Sequence, residues 1–277
     1  MKTRIISSAV AIALAIVVII LHETFVFNIV MGLISALAIA EIFRATKHVK
    51  YTVPALMCCV YAFIDAVIPV FHRNGWLTFF TSRLYFGALV LSVFVFYLRN
   101  HDKYNYKSVF FMLGISILIP YSMGTLIYMA MVEGSRGVYM IVITLAAAWL
   151  ADSGAYFAGT FLGKTPLCPD ISPKKTVEGV VGGVIANGVF MLIITLIFDL
   201  ATDTFEPRYV VLFFAGCAAA LVGLIGDLTA SMIKRQVGIK DYGNIMPGHG
   251  GVMDRFDSTL LVAPFMYYLF VQGALLK

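Results

Sequence analysis

The sequence predicts an all-α, polytopic integral membrane protein of about nine transmembrane helices, with its N-terminus in the cytoplasm. Three observations lead there. Hydrophobic residues make up 61% of the chain and charged residues 13%, with a mean hydropathy of +0.92, whereas a soluble globular surface needs about a quarter of its residues charged. Apolar runs recur at the length, roughly 17 to 25 residues, that a helix needs to cross the hydrocarbon. Lysine and arginine concentrate in alternate connections between those runs.

Taken in order, the spans are read at about 5–21, 25–43, 51–71, 78–98, 108–131, 137–162, 178–198, 208–232 and 258–276. The first follows Lys2 and Arg4 as the core of a signal peptide would, but no small-x-small cleavage site stands directly before His22, so a retained span is expected. The second and third carry one acid each, Glu41 and Asp65, read as buried partners for polar groups of the bundle with no assigned site. The fourth holds Arg83 at its edge, and the fifth is generic in sequence. The sixth is rich in glycine and alanine. Gly179 and Gly183 on the seventh, with Gly223 and Gly226 on the eighth, are read as small-residue contacts through which membrane helices approach closely. The ninth completes a single membrane domain, 1–277, with N-terminal spans (1–135) and a catalytic half (136–277).

Fifteen lysines and arginines fall at the N-terminus and in the connections 44–50, 99–107, 163–177 and 233–257, against four (Arg73, Arg136, Arg208, Lys277) on the opposite side. Cytoplasmic loops attract such a bias, so both long polar loops, 163–177 and 233–257, are placed in the cytoplasm and the C-terminus away from it. The net charge of +5 and pI of about 9.0 then reflect topology and attraction to anionic lipid heads. No nucleic-acid-reading module, repeat or domain linker is present in the sequence, and no nucleic-acid partner is expected. Cys58, Cys59, Cys168 and Cys217 show no disulfide or C-x-x-C spacing and read as free thiols.

Residues 227–257 are unlike the rest of the chain: four acids (Asp227, Asp241, Asp254, Asp257), four bases (Lys234, Arg235, Lys240, Arg255), one histidine and five glycines. Acids at the rim of a span cost roughly 2.5 to 3.5 kcal/mol each on insertion and are functional candidates by default. Asp152, Asp227, Asp254 and Asp257 all lie toward cytoplasmic helix ends. Asp227, Ser231 and Lys234 follow at i, i+4 and i+7, which puts a carboxylate, a hydroxyl and an ammonium on one helical face within roughly 10 Å. Such a face suits a divalent cation bridging to a phosphate. Oxygen-only ligands favour Mg²⁺ over Zn²⁺. In 247–251 (Pro-Gly-His-Gly-Gly), Gly250 and Gly251 allow close backbone approach to an anion, while His249 suits either loop structure or phosphate contact. The second loop offers Ser172, Lys174, Lys175 and Thr176 at the start of the seventh helix, where anions are favoured. Lys164 is read as a topology marker and Asp170 as a solvated turn residue.

The string Ser231-x-x-Lys234-Arg235, then Lys240-Asp241-x-Gly243, then Pro247-x-His249-Gly250-Gly251-x-x-Asp254-Arg255-x-Asp257 resembles the signature of the phosphatidate cytidylyltransferases, also called CDP-diacylglycerol synthases. Asp152-x-Gly154-Ala-Tyr156-x-x-Gly159 and Ile171-Ser-Pro-Lys-Lys-Thr176-x-Glu178-Gly179 resemble two further motifs of that family. The likeness covers about 145–260, with Met246 where the signature has Leu, Ile or Phe, a near volume-conserving change.

The resemblance implies transfer of a cytidylyl group from CTP to phosphatidate at an inner-membrane site facing the cytoplasm. Metal ligation by Asp227 and Asp254 is expected, with Asp152 and Asp257 as further candidate ligands and K⁺ as a candidate second cation. Lys234, Arg235, Lys240 and Arg255 would stabilise the leaving pyrophosphate; Ser172, Lys174, Lys175 and Thr176 would hold CTP or the lipid head. Ser231, His249, Gly250 and Gly251 are placed with the substrate-binding residues. A homodimer is expected by family analogy. The alternatives are a CTP-dependent polyprenol kinase, an ether-lipid cytidylyltransferase and, more remotely, an anion transporter, against which the one-sided charge and absence of an evident repeat both count.

Overall fold

The structure, a computed structural model, describes residues 2–73, 82–202, 206–246 and 248–276. The predicted beginning of the fourth span (78–81), Pro247 of the glycine loop and Lys277 lie outside the described residues. Helices α1 (Lys2–Ile20), α2 (Phe25–Ala45), α3 (Thr52–Arg73), α4 (Ser82–Arg99), α5 (Tyr106–Ala130), α6 (Ser135–Leu162), α7 (Val177–Thr202), α8 (Tyr209–Gln236) and α10 (Thr259–Val271) coincide with the expected apolar runs, and α9 (Met253–Phe256) is a single added turn. By length and composition α2, α3, α5, α6, α7 and α8 can cross a membrane, whereas the apolar stretches Ala9–Ile20 and Thr259–Val271 are shorter. The chain is an all-α polytopic membrane protein. Among the described residues the only named strands form an antiparallel hairpin, β1 (Pro166–Cys168) with β2 (Ser172–Thr176), inside the stretch expected to be loop.

The chain groups into two compact units, neither continuous in sequence. The first takes 1–127 with 239–255, so the glycine loop belongs with the N-terminal helices; the second takes 128–238 with 256–277.

In the first unit α2 and α3 pack closely because Gly32 faces Phe63, whose ring would stand 2.9 Å from an added Cβ. Asn28 donates its side-chain N–H to the Ala66 carbonyl at 2.7 Å. Burying a polar group away from water is costly unless it is so paired. At the α2–α3 turn, His48 stacks on Phe111 and Tyr51 lies against Tyr104, with ring centroids 4.8 and 4.7 Å apart.

In the second unit α6 and α7 meet backbone to backbone. A Cβ on Gly154 would lie 2.8 Å from the Ala186 Cβ, and one on Gly183 would lie 2.8 Å from the Ala151 carbonyl oxygen. Gly179 has the same relation to the Ala155 carbonyl at 2.8 Å, and a Cβ added to Gly226 of α8 would lie 2.7 Å from the Asp257 carbonyl. These are the small-residue contacts the sequence led us to expect. Asn187, fully buried, donates to the carbonyls of Ala147 (3.1 Å) and Gly216 (2.9 Å), tying α6, α7 and α8 together. This interlock holds the helix ends that carry Asp152 and Asp227 in register.

Candidate active site

The second unit brings together residues from three elements. Asp152 comes from α6, Asp227 from α8 and Lys175 from β2. The Lys175 Nζ lies 2.5 Å from Asp227 Oδ2 and 3.5 Å from Asp152 Oδ1. Its neighbour in β2, Lys174, is exposed, while Lys175 is half-buried and makes the contact. Burial, the largest influence on the Lys175 ammonium, lowers its pKa; attraction to Asp227 and then Asp152 outweighs it, and the net direction is upward.

Asp257 is buried just before α10, and its Oδ1 accepts the Ser258 N–H at 2.8 Å. Burial foremost, and then the charge of Asp227, push its carboxyl up to about 7; Asp152 adds to the rise, while the Ser258 N–H and Lys234 oppose it. A carboxyl raised in this way is held neutral first by burial and only then by the neighbouring acids. Lys234 is buried and Arg235 exposed in the last turn of α8, where cations suit the helix dipole. Arg235 Nε donates to the Ile171 carbonyl at 3.3 Å, joining that helix end to the hairpin. Ser231 is half-buried one turn before them.

Two residues hold the hairpin itself. Thr176 Oγ1 accepts the Gly179 N–H at 3.1 Å, a cap on α7. Glu178 accepts from the backbone N–H of Lys164 (3.0 Å) and Thr165 (3.1 Å) and from the Thr165 hydroxyl (2.9 Å). Lys164, read from sequence as a topology marker, thus gives its backbone to the hairpin base, and Ser172 sits half-buried at the start of β2.

The first unit contains the remaining sequence candidates: Lys240, His249, Gly250, Gly251, Asp254 and Arg255. Met246 N donates to the Gly250 carbonyl (3.0 Å) and His249 N to the Met246 carbonyl (2.9 Å), forming a tight turn. Gly248 and Gly250 adopt φ of +79° and +85°, which side chains disfavour. Asp254 is buried, and its Oδ2 accepts from Tyr242 N (2.7 Å) and Gly251 N (3.0 Å). It therefore clasps the loop as well as being a candidate ligand. The His249 ring shares a hydrogen bond with Ser7 Oγ of α1 at 3.0 Å, and Lys240 and Arg255 are exposed.

Sequence reasoning gave Glu41 no site. Its carboxylate accepts from Val252 N (3.0 Å) and Met253 N (2.8 Å), directly beside the loop. The available signal was a lone acid within an otherwise apolar helix, which marks function by default, but its partners lie 211 and 212 residues away.

Among the described residues no three His, Cys, Asp or Glu side chains form a ready metal cage. Mg²⁺ does not require one, since it is usually held by one or two carboxylates plus phosphates and water. Asp152 and Asp227 already converge on a single cationic atom, the Lys175 Nζ, with the proton-attracting Asp257 nearby in charge terms. That all-oxygen donor set fits a hard divalent cation.

The chain is similar to known proteins along nearly its whole length. Over 271 residues it is 32% identical to the phosphatidate cytidylyltransferase of Bacillus subtilis (strain 168), with 97% of each chain covered. The Haemophilus influenzae phosphatidate cytidylyltransferase is 29% identical over 288 residues (98% of each), and that of Staphylococcus aureus (strain COL) 29% over 281 residues (99% of this chain, 100% of the relative). The model of the Cytidylyltransferase family matches residues 2–272, a range that takes in both the acid cluster and the glycine loop, and the chain belongs to that family.

Proposed function

We propose that this protein transfers a cytidylyl group from CTP to phosphatidate, releasing pyrophosphate and forming CDP-diacylglycerol. The observation that carries the reading is the meeting of Asp152, Asp227 and Lys175 at one rim of the second unit. Both substrates are anionic at the reacting atoms, so opposing their repulsion is the main catalytic task. A phosphate oxygen of phosphatidate attacks the α-phosphorus, the bond to the β-phosphate oxygen breaks, and the electron pair leaves with pyrophosphate. The monoester is already ionised near neutrality, so little general-base help is needed.

Asp227, with Asp152 and Asp257, would hold Mg²⁺, which supplies charge neutralisation between the two phosphoryl groups when bound. Lys175 is positioned to exchange its carboxylate partners for a substrate phosphate. Lys234 and Arg235 would stabilise the departing pyrophosphate, with Ser231, Ser172 and Lys174 contributing contacts. The glycine loop with Lys240, His249 and Arg255 is assigned to substrate phosphates.

Asp254 was expected to be a metal ligand. Asp254→Asn keeps an acceptor for Tyr242 N and Gly251 N while removing the charge. If this variant loses Mg²⁺-dependent turnover with its loop intact, Asp254 serves the cation; near-normal turnover would assign it to the loop alone. K⁺ as a second cation enters the same assay as an added salt.

Active-site access from the cytoplasm, nine spans and residence in the plasma membrane form part of this proposal, supported by the positive-inside bias. A homodimer rests on the family resemblance alone, and the mass of the detergent complex tests it. The deciding experiment supplies purified protein with CTP, phosphatidate and Mg²⁺ and scores CDP-lipid and pyrophosphate. ATP, a polyprenol and an ether lipid serve as controls. Product only with polyprenol or the ether lipid would overturn the acceptor, and no nucleotide-dependent product at all would overturn the activity.

A further inference from the structure

Glu41 is 2% exposed, in the apolar helix α2, and among the described residues no lysine or arginine forms an ion pair with it. A buried carboxylate without a cation must have its charge met by hydrogen bonds. Those bonds come from two successive backbone N–H groups, Val252 (3.0 Å, to Oε1) and Met253 (2.8 Å, to Oε2). Each oxygen takes one donor, so both are used.

The surrounding backbone is shaped for this group. A Cβ built on Gly251 would have the Oε1, Oε2 and Cδ atoms of Glu41 as its three nearest neighbours, all in overlap. A Cβ on Gly243 would overlap Oε1 and Cδ of the same carboxylate, and would lie 3.2 Å from the Gly251 Cα. Glu41 is thus wedged between the two ends of the loop 243–251. The glycines there make room for a carboxylate of the chain itself, besides any substrate anion. On the other side Asp254 clasps the same loop through Tyr242 N and Gly251 N.

We infer that Glu41 is a positioning residue for the glycine loop: it contacts no substrate, and it sets the loop conformation that binds the nucleotide phosphates. This deepens the proposed function: it rests on the assignment of the loop to substrate phosphates and narrows it to those of CTP. Glutamine in its place has one acceptor oxygen and presents an NH₂ to the second backbone N–H, so the loop loses one anchor and gains a donor facing a donor.

The test compares wild type, Glu41→Gln, Gly251→Ala and the double variant in detergent. Hydrogen exchange at the 252 and 253 amides is measured without substrate, and steady-state kinetics with CTP, phosphatidate and Mg²⁺. Expected for Glu41→Gln are exchange at least about tenfold faster at those two amides and a CTP KM raised about tenfold or more, with the phosphatidate KM within about twofold. Gly251→Ala should reproduce this, because its Cβ displaces the carboxylate, and the double variant should be no worse than either single, since both act on one contact. If Glu41→Gln fails to fold, Gly243→Ala carries the same two readouts, because its Cβ overlaps the same carboxylate and Gly243 is outside the residues placed against substrate. Unchanged exchange, or a lowered melting temperature with an unaltered CTP KM, would overturn the inference. A wild-type protein that makes no CDP-lipid would instead overturn the function, leaving the exchange result to decide the Glu41 anchor.

Discussion

Lys174 and Lys175 are adjacent and chemically identical, yet only Lys175 is drawn to the acids of α6 and α8. Lys175→Met should lower kcat/KM by about 10² or more, as expected for loss of a charge aimed at a reacting phosphate, whereas Lys174→Met should stay within about fivefold; parallel kinetics of the two variants check this. Asp257 offers a pH test. Its carboxyl sits at about 7 in the fold against an ordinary 3.8, facing Asp227, Asp152 and Lys234. Between those values the folded chain keeps a proton that the unfolded chain has released, so stability falls as pH rises through this window and levels off above about 7. For function the sign is opposite. The carboxylate becomes available to a cation only as the proton leaves, so the apparent Mg²⁺ affinity should increase from about pH 6 to about pH 8. Asp257→Asn should flatten that dependence in a titration of activity or of Mn²⁺ binding.

At the level of elements, the candidate site depends on two kinds of joint. The α6–α7 joint needs glycine for space: Gly183→Val places its branched side chain against the Ala151 carbonyl and Ala155, where overpacking costs about 1 to 3 kcal/mol. A melting point lowered by several degrees in detergent is expected. The hairpin joint needs a carboxylate. Glu178→Ala removes acceptors from Lys164 N and Thr165 N, so exchange at those two amides should quicken and kcat should fall while α7 remains helical, measured by hydrogen exchange beside turnover. The three apolar helices with internal prolines, α3 (Pro69), α5 (Pro120) and α10 (Pro264), were read as continuous spans and are continuous helices.

For the whole molecule the testable quantity is sidedness. Single cysteines at 103 and 240 in a background without native thiols should react with an impermeant maleimide only from the cytoplasmic face, and one at 136 only from the other. CTP added to inside-out vesicles should give product without permeabilisation. Labelling at 240 from outside would reverse the proposed orientation.

The helices were legible in the chain because each signal is local: an apolar run sits at the length of the bilayer, and a cation count sits in a loop. The acids and bases of the candidate site stood out for the same reason, since a charge at a membrane boundary is expensive wherever the rest of the chain goes. Which of two neighbouring lysines reaches Asp227, and that Glu41 holds 252 and 253 from 211 residues away, were decided by tertiary structure. Those facts depend on which backbone N–H groups lack partners after the helices have packed, and no single stretch of sequence contains both halves of such a bond.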